Sequence, residues 1–537
     1  VGALRAEASR RRGPAASRAR FRGAARVTAE AATPATPATP ATPATSFRSV
    51  LRHASIYSLG TVGIRIGGLL LVPLYTYNLT PGEYGIMEYL DLISVFISML
   101  FSLGLASSIY RYYYDAADEA GRRSVVATTF ITTLCVSAVI AGIMLLLAPT
   151  IADRVFHNPL FHRYLTILFL GFAFNAIAEF GMTYVSVMQK SKVYSAIKIT
   201  RFLADVSLNV WFLLGLRWGV QGLLVSNLIT HVAMATFLYI VFVRPQGLAF
   251  SWSILKRMVG YGLPLALVQI CLFVINFSDR FFLQAYTDFT QVGIYALAYK
   301  FGIMMNTLVV SNFFQIWQAK SFEVANEPDA EEFFRRVFTY LVYGLFAFGL
   351  AISMIAKDLI TLVAPPSYSA AAPLVPLIVL AYLLHGLGTY FELGLKLRDR
   401  TRVLGVILFG SCVLCIGLYW LLIPRLGMLG AVLATDIAFL ARAVLVYWVS
   451  QKVYPLRFEF MRMIWVAAVS AGALALRLLL PPLPLPLSIA AGLGTLAAYG
   501  AVMYLWVLRA DERASIVSIA KRVFPSAGRA ATDTPAG

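Results

Sequence analysis

Three basic side chains stand inside long apolar segments, where a charge is out of place unless something answers it: Arg65, Arg280 and Lys300. Even on a lenient scale, a charge at mid-membrane costs about 2.5–3.5 kcal/mol. Arg65 lies about eleven residues into the first apolar segment, Arg280 about five residues from the end of the seventh, and Lys300 about ten residues into the eighth. At 1.5 Å per residue the last two differ in depth by about one helical turn, so they can meet across a hairpin. Glu88, Asp91 and Asp279 supply the opposite sign nearby. One chemistry is a cationic cavity that draws in an anionic substrate, with the acids as ion-coupling groups or charge partners. The other is a set of internal ion pairs, Arg65 with Glu88 or Asp91 and Lys300 with Asp279, that only orient helices. The two are compatible, because a closed state can pair charges that a substrate later separates. Asp279 points about 100° around the helix from Arg280, and Asn276 precedes it by one turn.

Other patterns point away from catalysis. There is no phosphate-binding glycine loop and no Ser/His/Asp arrangement. Cys412 and Cys415 have a CxxC spacing, but no second pair or histidine cluster accompanies them, so they read as small packing residues and not as a metal site. Arg201 and Asp205 are spaced to pair along one helix. Arg442 and Arg477 read as snorkelling to an interface. Glu179, Glu392 and Asp436 are candidates for binding a coupling proton or cation, and His231 and His385 for helix packing. Pro73 and Pro264 predict kinks, and Gly104-Leu-Ala106 predicts close helix contact.

These residues need helices in lipid to position them. Of 537 residues 59% are hydrophobic and 13% charged, with a mean hydropathy of +0.75, and a soluble domain carries roughly twice that charge. The pattern predicts an all-α polytopic membrane protein with about fourteen spans, at roughly 54–77, 86–110, 124–149, 163–188, 196–216, 219–243, 258–285, 290–314, 336–356, 369–394, 403–424, 427–450, 461–480 and 485–508. The net charge of +19 reads as topology and not as nucleic-acid binding. About nineteen Lys and Arg fall in connections on one side and five on the other, which places both termini in the cytoplasm. The short connections on the opposite side leave no room for a catalytic domain.

An internal repeat organises the spans. Arg217-Trp-Gly219-Val-Gln-Gly222 returns as Arg425-Leu-Gly427-Met-Leu-Gly430, an offset of 425 − 217 = 208. The same offset aligns Tyr84-Gly85-Ile86 with Val292-Gly293-Ile294 and Lys190-Ser-Lys192 with Arg398-Asp-Arg400. Two parallel six-helix repeats follow, as two lobes about an axis along the membrane normal, at 47–244 and 245–452. Two extra helices occupy 453–508. The Arg-rich, Ala-Thr-Pro-repeating residues 1–46 read as a disordered cytoplasmic tail, and 509–537 as a second tail. The Arg-rich start also resembles an organellar transit peptide, and an over-extended start explains it equally well.

Two parallel six-helix halves, Tyr-Gly-Ile at 84–86, and Asp279-Arg280 followed by Val292-Gly293-Ile294-Tyr295 resemble the bacterial polysaccharide transporters. Within the multidrug/oligosaccharidyl-lipid/polysaccharide (MOP) exporter superfamily, the chain is similar to the O-antigen flippases (Wzx-type, RfbX-like), over about residues 47–452. Fourteen spans also resemble the lipid II flippases. The resemblance implies a non-enzyme that carries undecaprenyl-diphosphate-linked oligosaccharide from the cytoplasmic to the periplasmic leaflet of a bacterial inner membrane, for lipopolysaccharide or other polysaccharide biosynthesis. It implies alternating access between two lobes, with Arg65, Arg280 and Lys300 holding the diphosphate. It implies no cofactor beyond coupling to protons or sodium, and as partners the lipid-linked glycan, with polymerase and chain-length machinery. A cation-coupled drug or metabolite antiporter and a lipid II flippase are the alternatives within the superfamily. A membrane glycan polymerase or ligase is the alternative outside it, disfavoured by the short connections.

Overall fold

A computed structural model describes residues 67–68, 71–101, 104–481, 483–510 and 512–513. These residues form helices and their connections, with no strand among them. The first copy of the repeat contributes α1 (Val72–Asn78), α2 (Pro81–Phe101), α3 (Leu105–Asp115), α4 (Glu119–Arg154), α5 (Leu160–Val187), α6 (Ser191–Val210) and α7 (Gly219–Leu238). The second contributes α8 (Trp252–Phe277), α9 (Asp279–Tyr286), α10 (Phe289–Met305), α11 (Ser311–Val324) and α12 (Ala330–Val363). It continues through a 3-10 segment at Pro366–Leu374 into α13 (Val375–Phe391), α14 (Leu393–Leu397), α15 (Thr401–Leu426) and α16 (Met428–Val453). Two further helices, α17 (Phe460–Leu479) and α18 (Leu485–Val502), complete the described chain.

Among the described residues, 11 helical stretches are long and apolar enough to cross a membrane. The remaining three expected spans differ for identifiable reasons. Most of 54–77 and the 1–46 tail lie outside the described residues. The expected span at 86–110 begins earlier, at Pro81, carries Glu83, Glu88 and Asp91, and is interrupted near Gly104. The span at 196–216 is α6 with its continuation to Gly215, and Lys198, Arg201 and Asp205 dilute its apolar character. Pro264 sits inside a continuous α8, and Pro73 in the first turn of α1, where its missing N–H costs nothing.

The offset of 208 is visible in local chemistry. Before α2, the Thr80 backbone N–H donates to Glu83 Oε2 at 2.9 Å and the Glu83 N–H to Thr80 Oγ1 at 3.3 Å, a reciprocal capping box. The equivalent residues before α10 are Asp288 and Gln291, and there the Asp288 carboxylate accepts from the Gln291 N–H at 2.8 Å. Gly219 and Gly427 both adopt φ of +55°, where α7 and α16 begin. The core aromatic side chains Tyr84, Tyr295, Tyr368, Tyr382 and Tyr390 are fully buried, and the hydroxyls of Tyr295, Tyr368 and Tyr390 donate to Asp279, the Leu79 carbonyl and the Phe334 carbonyl.

Candidate functional site

The two copies touch at both ends of the molecule, and the charged residues lie between those contacts. At one end α2 and α10 approach backbone to backbone. A Cβ on Gly85 would strike the Phe289 carbonyl oxygen, and a Cβ on Gly293 would strike the Pro81 carbonyl oxygen. These four residues are pairwise equivalents, so the contact is reciprocal. Around it Thr76 Oγ1 donates to the Val363 carbonyl at 2.6 Å and Tyr368 donates to the Leu79 carbonyl at 3.0 Å.

At the other end α3 runs against α8. Gly104, at φ +66°, lies directly on the Gly262 backbone, where no side chain could fit. One turn on, Ser108 donates to the Met258 carbonyl at 2.7 Å, and a turn further Tyr112 donates to the Arg257 carbonyl at 3.1 Å. Arg111 caps the seam, 4.7 Å from the centre of the Tyr261 ring.

About one turn along α2 from Gly85 and two along α10 from Gly293, Lys300 of α10 reaches Glu88 of α2, with Nζ 2.8 Å from Oε1. The Glu88 side chain is 14% exposed and the Lys300 side chain 41%, so the pair is open on the lysine side. Asp91, one turn along α2 from Glu88, is exposed and makes no ion pair among the described residues. Arg65 lies outside the described residues.

Arg280 takes a different acid as its ion-pair partner. It is 4% exposed and pairs with its neighbour Asp279 at 3.2 Å. The expected pair of Lys300 with Asp279 is likewise replaced. Asp279 and Arg280 both lie in the first turn of α9, downstream of the junction at Ser278, and the long Arg280 side chain folds back onto Asp279 Oδ1. Asp279 Oδ1 accepts from the Arg280 N–H at 2.9 Å, and Oδ2 from Tyr295 Oη at 2.5 Å. Aromatic faces close over the guanidinium, 4.2 Å from the Tyr299 centroid and 5.5 Å from that of Tyr295. Such stacking stabilises a guanidinium by about 2 kcal/mol when it is desolvated. Tyr295 and Tyr299, one helical turn apart on α10, were the signal that sequence reasoning passed over.

Three other polar clusters lie within the helices. Arg442 of α16 is buried, not snorkelling; it is paired with Glu392 and lies 3.5 Å from His385 Nδ1, while Lys396 holds the other Glu392 oxygen at 2.8 Å. Arg201 donates to Glu179 Oε1 at 2.9 Å and to Asn175 Oδ1 at 3.2 Å, and its expected partner Asp205 is farther, at 3.9 Å. Arg477, its side chain 11% exposed, lies 3.3 Å from Asp358, with Ser488 hydrogen-bonded to both. That triad ties α12, α17 and α18 together at one end. At the other, Glu459 receives Arg462 at 3.1 Å and Arg509 at 2.8 Å, with Arg335 at 3.9 Å. The two helices outside the repeat are therefore fastened to α12 at both ends.

The relatives of this chain agree with that architecture. Residues 78–373 match the family described as polysaccharide biosynthesis protein. An uncharacterized membrane protein of Methanocaldococcus jannaschii is 18% identical over 424 residues, covering 73% of this chain and 81% of that protein. Among solved structures, the lipid II flippase MurJ in an inward closed conformation superimposes with a TM-score of 0.69 at 12% identity, over 84% of this chain and 99% of that one. An inward-facing multidrug resistance MATE transporter of the MOP superfamily superimposes at 0.57 with 15% identity, over 77% and 95%. With the match spanning more than half its length, the chain belongs to the polysaccharide biosynthesis protein family: a multi-pass membrane protein with the MOP transporter fold.

Proposed function

We propose that this protein is a flippase that carries an undecaprenyl-diphosphate-linked oligosaccharide from the cytoplasmic to the periplasmic leaflet of a bacterial inner membrane. The observation that carries the reading is the Lys300–Glu88 ion pair, which bridges the two repeat copies between two closed ends. A lysine held by an acid from the opposite copy, and one-sidedly open, is a cation that an incoming diphosphate can capture. Capture frees Glu88 and removes one tie between α2 and α10. Lys300 and Arg65 are the diphosphate contacts in this reading. Arg280, sealed behind Tyr299, orients the α9–α10 hairpin; Glu88, Asp91 and Asp279 are the charge partners, with Asp91 the group open to a coupling proton or sodium ion.

The two lobes are the copies at 47–244 and 245–452, rocking about an axis along the membrane normal. The excess of Lys and Arg beside the α3–α8 seam makes that end cytoplasmic, and the Gly85–Gly293 end periplasmic. The glycan crosses between the lobes while the prenyl chain stays in lipid, and polymerase and chain-length machinery take the product. Lipopolysaccharide assembly is one such use.

The test is accumulation of lipid-linked glycan on the inner leaflet of spheroplasts. Lys300→Ala should accumulate it and the wild type should clear it. Normal clearance by the Lys300→Ala variant, or rescue of a strain depleted of its lipid II flippase, would overturn this assignment. Drug export by the purified chain would move it to the antiporter alternative.

A further inference from the structure

Within the first repeat copy, two polar stripes face one cavity of about 140 Å3. On α4 the stripe is Thr129, Thr133 and Ser137, and on α5 it is Asn175, Glu179 and Thr183. Each set is spaced by four residues, so each occupies one helix face. The α5 stripe also ties α6 to α5, because Arg201 holds both Glu179 and Asn175.

The hydrogen-bond accounting shows what the cavity lacks. Thr129 donates to the Val125 carbonyl at 2.7 Å, Ser137 to the Leu134 carbonyl at 3.2 Å and Thr183 to the Glu179 carbonyl at 2.8 Å. Those hydroxyl protons are spent on their own helices, and the remaining lone pairs are acceptors. Glu179 adds a carboxylate whose Oε1 is fixed by Arg201 at 2.9 Å, while Arg201 also occupies the Asn175 oxygen at 3.2 Å. The Glu179 side chain is nevertheless 59% exposed, eight residues from the end of α5 and so roughly 12 Å along the helix. The surface around it is mainly apolar, formed by Leu105, Val136, Phe172 and Phe180. The cavity thus combines mainly apolar walls with a short row of acceptors, and suits a ligand that has both apolar faces and O–H or N–H donors.

A metal or ammonium ion fits this poorly, because the Arg201 guanidinium already stands against the carboxylate. The walls decide further: Phe172 and Phe180 line the same cavity, and apolar ring faces beside a fixed carboxylate suit a molecule with C–H faces and hydroxyl edges. We infer that this cavity is a carbohydrate subsite, in which Glu179, oriented by Arg201, accepts hydrogen bonds from adjacent hydroxyls of one sugar ring. It lies against the cytoplasmic seam in the orientation proposed above: Leu105 and Ala106 of α3 form its wall, and Thr129 is 3.6 Å from Met258 Sδ, the residue whose carbonyl Ser108 holds. The inference rests on the flippase reading for the identity of the sugar donor, and adds a glycan contact separate from the diphosphate contact at Lys300.

The experiment is calorimetric titration of the full chain in nanodiscs with glycan released from the host's lipid-linked intermediates and freed of phosphate. The wild type should bind it. Glu179→Gln and Thr133→Val should each weaken binding about tenfold, the loss expected for a hydrogen bond to a charged or well-placed acceptor, and Lys300→Ala should bind as the wild type does. A silent wild type, or unchanged binding in both cavity variants, overturns the subsite. Glu179-dependent glycan binding in a chain that clears lipid-linked glycan normally without Lys300 upholds the subsite and sinks the diphosphate reading instead.

Discussion

Lys300 and Glu88 form a 2.8 Å ion pair between two helices whose first residues, Pro81 and Phe289, are 208 positions apart in the chain. The two side chains are not repeat equivalents: the partner of Glu88 in the second copy is Ala296, and that of Lys300 in the first is Leu92. The glycine contact of Gly85 and Gly293 keeps the 208-residue offset, and this ion pair does not.

Because Lys300 is substantially exposed, its pair with Glu88 contributes about 1 kcal/mol or less to stability. Lys300→Ala should therefore leave thermal unfolding in detergent nearly unchanged while reducing translocation by at least about tenfold. The exchange variant Glu88→Lys with Lys300→Glu should keep the pair and still fail to translocate, since the cation then belongs to the other copy. Full activity of the exchanged protein would show that only the pair matters, and not its polarity.

Gly85→Ala and Gly293→Ala each force a methyl group into backbone of the opposite copy. Each should lower stability by about 1–3 kcal/mol, the usual cost of overpacking. Both break one contact, so the double variant should cost clearly less than the sum of the two. Additive losses in a thermal melt would mean that the two glycines serve separate contacts.

Arg477 and Asp358 are both about nine-tenths buried. Asp358→Leu alone leaves an unanswered guanidinium and should cost about 3–5 kcal/mol, whereas Asp358→Leu with Arg477→Met should recover most of it. Proteolysis within the α17–α18 hairpin is the readout, since this triad holds both helices to α12. A single variant as resistant as the wild type would remove the triad from that role.

Arg280→Lys keeps the charge beside Asp279 but loses the planar stack on Tyr299 and Tyr295. A loss of about 1–2 kcal/mol is expected from the missing stack, measured by unfolding. Equal stability of the lysine variant would show that charge alone suffices there.

Much of the architecture was legible in the sequence because lipid leaves a crude signature. Span length, the 208-residue offset and the glycines at 85, 293 and 104 all follow from hydropathy, repetition and small-residue spacing. The ion pairs were less legible. Arg280 and Asp279 are adjacent on one helix and start about 100° apart around it, an angle that does not reveal that the long Arg280 side chain folds back onto its neighbour's carboxylate. Arg442 and Arg477 were read by depth alone, and depth does not reveal that Glu392 and Asp358 wait on neighbouring helices. Glu179 was noticed as a lone acid, and its meaning came only from α4 facing α5.

The reciprocal meeting of Gly85 and Gly293 constrains how this protein can change. In most packed contacts an enlarged side chain can be accommodated by shrinking its neighbour. Here each neighbour is the other's backbone, and glycine has nothing smaller to give way to. Neither position can therefore be repaired by a substitution at its mate, and the seam stays open to drift only by separating the two copies.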